Sequence, residues 1–232
     1  MERHVITVNY NTPELCEAAI RSLNKQTPGC IVHLLDNSDS RPFTRAAEFA
    51  NVDYIDNTHG QLVDFERWCK TFPNREYSEN NYGSAKHCFS IALMLQRLDT
   101  DCVVMDSDIL LTRDITPLYD ERFVFQAEVK TNTKAWGFRV YRAKPFLCYI
   151  NVPLMRRLGI TYFNGEKMWN LQNVKPQSKY DTGAWFFEQV ERRKLPYNKI
   201  ALADWCLHLR HASYQDRPAT DWLNENKELW SD

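Results

Sequence analysis

The stretch VVMDSDILL, Val103 to Leu111, sets two carboxylates between two apolar runs. Charges are rarely buried unless they are paired or bound to a metal, so a strand with this sequence is expected to emerge from the core at Asp106 and Asp108. Two residues separated by one share a face of extended backbone, so both carboxylates can approach one divalent cation. Magnesium or manganese held there could bridge the phosphates of a nucleotide and neutralise a departing diphosphate. The triplet alone is cheap, since Asp99-Thr100-Asp101 has the same form just upstream. That second triplet falls between a helical pattern ending near Leu98 and a strand starting at Cys102, where an ordinary turn is expected.

Upstream of the acidic pair, Val5 to Val8 is a β-branched run. It leads into the polar turn Asn9-Tyr10-Asn11, and Thr12-Pro13 then reads as a cap before a proline at the first helical position. Leu15, Ala19, Ile20 and Leu23 recur at helical spacing. Ile31 to Leu35 predicts a second strand ending in the turn formers Asp36-Asn37-Ser38-Asp39-Ser40, and Val52 to Ile55 a third. Ser84 to Leu98 predicts a helix and Cys102 to Met105 the strand that delivers Asp106. Strands alternating with helices imply an α/β fold of three layers with a mostly parallel central sheet, which binds ligands beyond the carboxyl ends of its strands. Three polar clusters lie at three such ends. Downstream, Phe123 to Val129 and Trp136 to Tyr141 predict strands, Leu154 to Leu158 a short helix, Gly183 to Arg193 a longer one, and Trp205 to Arg210 a last strand.

At 232 residues the chain reads as one domain, residues 1–232. Lys plus Arg number 29 against 30 Asp plus Glu, a net charge of -1, so no global field attracts polyanions and nucleic acid is disfavoured as a partner. Seven cysteines, none in C-x-x-C spacing, argue against a disulfide framework or a thiolate zinc site and suit a reducing compartment. Neither a signal-peptide pattern nor an apolar run of about 18 residues is present, so the expectation is a cytoplasmic protein without a transmembrane segment. Aromatic residues make up 13% of the chain, and tryptophan and tyrosine often line carbohydrate sites, though core packing explains most of them.

Two further constellations carry chemistry. His208 and His211 lie near the C-terminus, and a neutral imidazole could complete a manganese site begun by an aspartate. On a strand the two point to opposite faces, so one ligand is expected, not two. Asp181, in Tyr180-Asp181-Thr182-Gly183, heads a helix. It reads either as an N-cap or as a general base taking the proton of an acceptor hydroxyl.

Taken together, Val8-Asn9-Tyr10-Asn11-Thr12-Pro13-Glu14-Leu15, Leu35-Asp36-Asn37-Ser38-Asp39, Gly83-Ser84-Ala85-Lys86-His87 and Asp106-Ser107-Asp108 resemble the GT-A glycosyltransferases, most of all family 2, over about the first 115 residues. The resemblance implies a nucleotide-sugar-binding half over about 1–115 and an acceptor-side half over about 116–232. It implies that Asn9, Tyr10, Asn11, Asp36, Lys86, Asp106 and Ser107 hold a sugar nucleotide, UDP- or GDP-linked. Asp106 and Asp108, with His211 or His208, would hold Mn2+ or Mg2+, and Asp181 would be the base of an inverting transfer to a glycan or lipid-linked acceptor, as in polysaccharide biosynthesis. Tyr180 stands where that family commonly has glutamate. A lipid-linked acceptor would bring the protein to the membrane periphery. Asp108 to Tyr119 and Tyr149-Ile150-Asn151-Val152 are similar instead to family 8 enzymes, which retain anomeric configuration, so both stereochemical outcomes stand open here.

Other classes fit less well. A haloacid-dehalogenase-like phosphatase places its D-x-D on the first strand followed by Gly-Thr, whereas Ile109-Leu110 follows here. A nucleotidyltransferase expects a Gly-rich loop where Asn9-Tyr10-Asn11 stands. A catalytically silent binder of sugar nucleotides or glycans is the remaining rival.

Overall fold

The computed structural model describes residues 2–62, 82–135, 138–164, 182–209 and 216–231. Strands β1 (Arg3–Asn9), β2 (Cys30–Asp36), β3 (Val52–Asp56) and β4 (Cys102–Met105) run parallel in the order β3-β2-β1-β4. The sheet continues through β7 (Phe138–Ile150), antiparallel to β4, then β6 (Phe125–Ala135) and the short β8 (Asn198–Lys199), making seven strands. A two-stranded ribbon pairs β5 (Ile109–Leu111) with β9 (Cys206–His208).

Strands β1, β2 and β4 carry near-continuous buried apolar runs because both of their faces are covered, whereas β3 at the sheet edge has no buried residue. Alternation splits their side chains between two cores. Val5, Val32, Leu34, Val103 and Met105 meet α1 (Pro13–Gln26), which contributes Ala19, Ile20 and Leu23. Ile6, Val8, Leu35 and Val104 meet α2 (Tyr82–Arg97) through Ile91, Met94 and Leu95, and α4 (Ala184–Arg192) through Phe186 and Phe187. Helix α1 starts where Thr12 precedes Pro13, and the proline at its first turn forfeits no hydrogen bond. Between them lies α3 (Val152–Arg157), capped by Asn151, whose side chain accepts from Leu154 N at 2.9 Å. Helix α5 (Asp216–Glu225) packs Leu223 among Leu15, Ala18 and Leu110, and a 3-10 turn, Lys227–Leu229, follows it.

The expected architecture of helix layers about a mostly parallel sheet is the one observed. Strand β7 is the main departure: it extends to Ile150, well beyond the predicted Trp136–Tyr141 segment, despite carrying Pro145. Cys16, Cys30, Cys88, Cys102, Cys148 and Cys206 are free and buried, and burial pushes the Cys16 and Cys148 thiols far up, so they behave as small apolar side chains. Among the described residues no helix is long and apolar enough to cross a membrane.

Candidate active site

Asn9 and Asp36 end β1 and β2 opposite one another in the ladder, and both are fully buried. Asn9 Nδ2 donates to Asp36 Oδ1 at 3.1 Å and to Ser38 Oγ at 2.8 Å. Asp36 also accepts from Ser38 N at 3.0 Å, Phe43 N at 2.5 Å and the Tyr54 hydroxyl at 3.1 Å. Burial, and then the Asp36 charge, push the Tyr54 phenol well above its ordinary value. Both side chains are therefore committed inside the protein, and neither lines the cavity described below. They shape the loops that do.

Asn11 sits at φ 58, a left-handed conformation that asparagine tolerates, and its Oδ1 accepts the backbone N–H of Asp39 (3.1 Å), Ser40 (2.9 Å) and Arg41 (3.1 Å). The first loop is thereby stitched to the second. What these loops present to the cavity is Tyr10, Thr12 and Asn37. Lys86, only 5% exposed, reaches the same corner from α2. Its Nζ donates to Asn37 O at 3.2 Å and Asp39 Oδ1 at 2.6 Å, and lies 4.7 Å from the centre of the Tyr10 ring.

The acidic pair is fixed by its backbone. Asp106 N donates to Phe146 O at 2.9 Å on β7, and Leu209 N donates to Asp108 O at 3.0 Å. Ser107 Oγ is 3.3 Å from Thr12 Oγ1, which joins the acidic turn to the first loop. Because β5 pairs antiparallel with β9, Ile109 lies opposite His208, and His208 Nε2 comes 3.4 Å from Asp108 Oδ1. The Phe146 ring lies 4.1 Å from the His208 ring. Residues a hundred positions apart thus meet through one short ribbon.

Asp106 Oδ1 is 3.1 Å from His87 Nε2, yet it is buried and accepts no hydrogen bond among the described residues. A buried acceptor left without a donor costs about 1–3 kcal/mol, and more when charged. A cation beside Asp106 would satisfy it, and two carboxylates with an imidazole suit manganese or magnesium. Among the described residues no three His, Cys, Asp or Glu side chains form a ready metal cage.

The acidic turn, the two histidines beside it, and Tyr10, Thr12, Asn37 and Lys86 open onto one cavity of about 1080 Å³ at the carboxyl ends of the parallel strands. Asp106, Ser107, Asp108 and His208 border it on one side and Tyr10, Asn37 and Lys86 on another. A third wall, formed by Glu128, Lys130, Arg142 and Lys144 of β6 and β7, was not anticipated from sequence, nor was His87. The signal available was the alternation of charged with apolar residues along those strands. Asp181 and His211 lie outside the described residues; Thr182, next to Asp181, lines the cavity. Gly183 begins α4 at φ +82, and a Cβ there would meet Ala143 O at 2.0 Å, so only glycine lets the helix start this close to β7.

The second acidic triplet is the turn expected of it. Asp99 pairs with Arg156, and Asp101 accepts from the Tyr149 hydroxyl at 2.7 Å. Asn151, in the segment similar to family 8, caps α3 and does not line the cavity.

No protein-family model matches the chain, and no curated protein does. Among solved structures, apo mouse xyloside xylosyltransferase 1 matches with a TM-score of 0.54 at 12% identity, over 86% of this chain and 85% of that one. The glycosyltransferase GlyE of Streptococcus pneumoniae TIGR4 and the galactosyltransferase LgtC, solved with donor and acceptor sugar analogues, each match with a TM-score of 0.48 at 15% identity, over 97% and 84% of this chain. The chain spans 50% of GlyE and 72% of LgtC. The likeness to the mouse structure is one of fold, and that fold is GT-A.

Proposed function

We propose that this protein is a glycosyltransferase that moves a sugar from a UDP- or GDP-linked donor to a hydroxyl of a glycan or lipid-linked acceptor, with inversion. One observation carries the reading: the acidic pair, the loops after β1 and β2, and a wall of cations share a single cavity at the carboxyl ends of a GT-A sheet. The acceptor oxygen bonds to the anomeric carbon as the bond from that carbon to the diphosphate oxygen breaks. The electron pair leaves with the diphosphate, and the hydroxyl proton passes to a base.

Asp106 and Asp108, with His208 as the described imidazole and His211 the other candidate, would hold Mn2+ or Mg2+, which when bound neutralises charge on the leaving diphosphate. Tyr10 offers a ring on which the nucleoside can stack, beside the Asn37 amide. Lys86, fixed between the two loops, sets the position of the Tyr10 face and adds positive charge near the diphosphate. Ser107 couples donor loop to acidic turn through Thr12. Asn9, Asn11 and Asp36 act by holding the loops. Asp181 is the proposed base, on the strength of its place before cavity-lining Thr182. Buried free thiols suit a reducing, cytoplasmic setting, with a lipid-linked acceptor met at the membrane surface.

Incubation with pooled sugar nucleotides, Mn2+ and an acceptor pool, read by mass spectrometry and by NMR of the anomeric proton, tests this. A product one glycosyl unit heavier, with inverted configuration, is expected. Binding of nucleotide without any transfer would identify a silent binding module instead.

A further inference from the structure

We infer that the acceptor carries an aliphatic chain, as a lipid-linked acceptor does, and that Leu202, Leu207 and Trp222 form the ledge that receives it. The inference rests on the transferase reading. Leu207 stands in β9 between Cys206 and His208, so alternation turns it away from the face on which His208 meets Asp108. Its partner across the ribbon is Leu110. Leu110 is fully buried among Leu15, Ala18 and Leu223, whereas Leu207 is 37% exposed, so the cover that α1 and α5 give this face stops short of Leu207. Among the described residues the other exposed large apolar side chain is Leu62, which lies outside the cavity.

A leucine exposed singly needs no explanation, but this one belongs to a cavity wall. Half-buried Leu202, from the turn before β9, borders the same cavity and packs against the core cluster that also takes Phe146. Half-buried Trp222, from α5, borders it too and packs against the cluster that holds Leu110. The wall thus follows both faces of the ribbon and begins at Phe146, whose ring lies 4.1 Å from that of His208. Ligand cavities are lined mainly by such side chains, with a few polar groups to fix orientation. The donor does not account for this wall. Its base and diphosphate have Tyr10, Asn37, Lys86 and the acidic turn, and its sugar carries hydroxyls that a leucine cannot pair. What remains is the far end of the acceptor. Two leucines beside an indole gain from covering methylenes and would leave hydroxyls without partners, so a hydrocarbon chain fits where a second sugar does not.

The test compares three acceptors built on one sugar, with a donor that supports turnover: its methyl glycoside, its hexyl glycoside, and a methyl disaccharide in which a second sugar replaces the hexyl chain. Covering one methylene is worth about fourfold in affinity, so a hexyl chain with two or three methylenes seated should raise kcat/KM about 15- to 60-fold over the methyl glycoside. Leu207→Ser and, separately, Leu202→Ser should each cut that advantage by about fourfold or more through acceptor KM. Leu207→Met should keep it, and calorimetric affinity for UDP or GDP with Mn2+ should stay at the wild-type value. Equal use of methyl and hexyl glycosides by wild type overturns the inference and leaves the transferase reading intact. A hexyl advantage that survives both serine variants also overturns it, because the chain then lies elsewhere, and so does better use of the disaccharide, because the ledge then takes a sugar. Loss of nucleotide affinity in Leu207→Ser overturns it as well, the ledge then serving the donor. Absence of turnover with every acceptor removes the transferase reading and the inference together.

Discussion

Asp106→Asn separates a functional carboxylate from a structural one. Asp106 Oδ1 is buried and accepts no hydrogen bond among the described residues, and its neighbour there is His87 Nε2 at 3.1 Å, so a neutral amide forfeits little beyond that one contact. Relief of a cost of about 1–3 kcal/mol should leave the apo variant at least as stable as wild type. With Mn2+ at about a hundred times its dissociation constant, a ligand binding only the folded state adds about 2.7 kcal/mol. At roughly 2–4 °C per kcal/mol for a chain of this size, wild-type Tm should rise by about 5–11 °C, and the variant's by almost nothing. Differential scanning calorimetry with and without Mn2+ reads both quantities. An apo variant several degrees less stable than wild type, which still responds fully to Mn2+, would refute the reasoning.

Other perturbations test individual parts. Gly183→Ala combines a left-handed φ with a Cβ 2.0 Å from Ala143 O and should cost about 2–6 kcal/mol in urea unfolding, whereas Gly29→Ala, at φ +82 but with no neighbour within 4 Å, should cost only the conformational part, about 1–3. Lys86→Met removes a pair whose Asp39 partner is half exposed, so stability should fall by only about 1 kcal/mol while nucleotide affinity, measured by calorimetry, drops about tenfold. His4 is held below the ordinary imidazole value by burial first and by neighbouring His33 second. Its contribution to stability is therefore present above about pH 6.5 and lost as pH falls below it, and His4→Gln should flatten that part of a Tm–pH profile. Asp181→Asn should lower kcat without changing donor affinity; equal turnover by the variant would remove Asp181 as the base.

The parallel half of the sheet was legible because strands covered on both faces must be apolar throughout and must end in turn formers, as β1, β2 and β4 do. Strand β7 was legible only at its start, since Lys144-Pro145 and the alternating cations broke the apolar pattern that marks a buried strand. The same alternation built the third cavity wall. Helix α5 escaped because Asp216–Glu225 has few apolar residues, and its packing surface is little more than Leu223 with partly buried Ala219 and Trp222. At the candidate site, local spacing singled out Asp106 and Asp108, but the approach of His208 depends on ladder pairing between β5 and β9, which no local pattern encodes. Asn9 and Asp36 were located correctly at strand ends; that their polar atoms face inward depends on the loop fold, through Ser38, Phe43 and Tyr54.

The most direct test of the whole account is a crystal structure with Mn2+ and UDP or GDP, the metal located by anomalous scattering. A manganese peak bonded to Asp108 and Asp106, with the base against Tyr10 and the diphosphate between them, is the predicted result. A nucleotide seated outside this cavity, or a metal with no aspartate from the pair among its ligands, would contradict it.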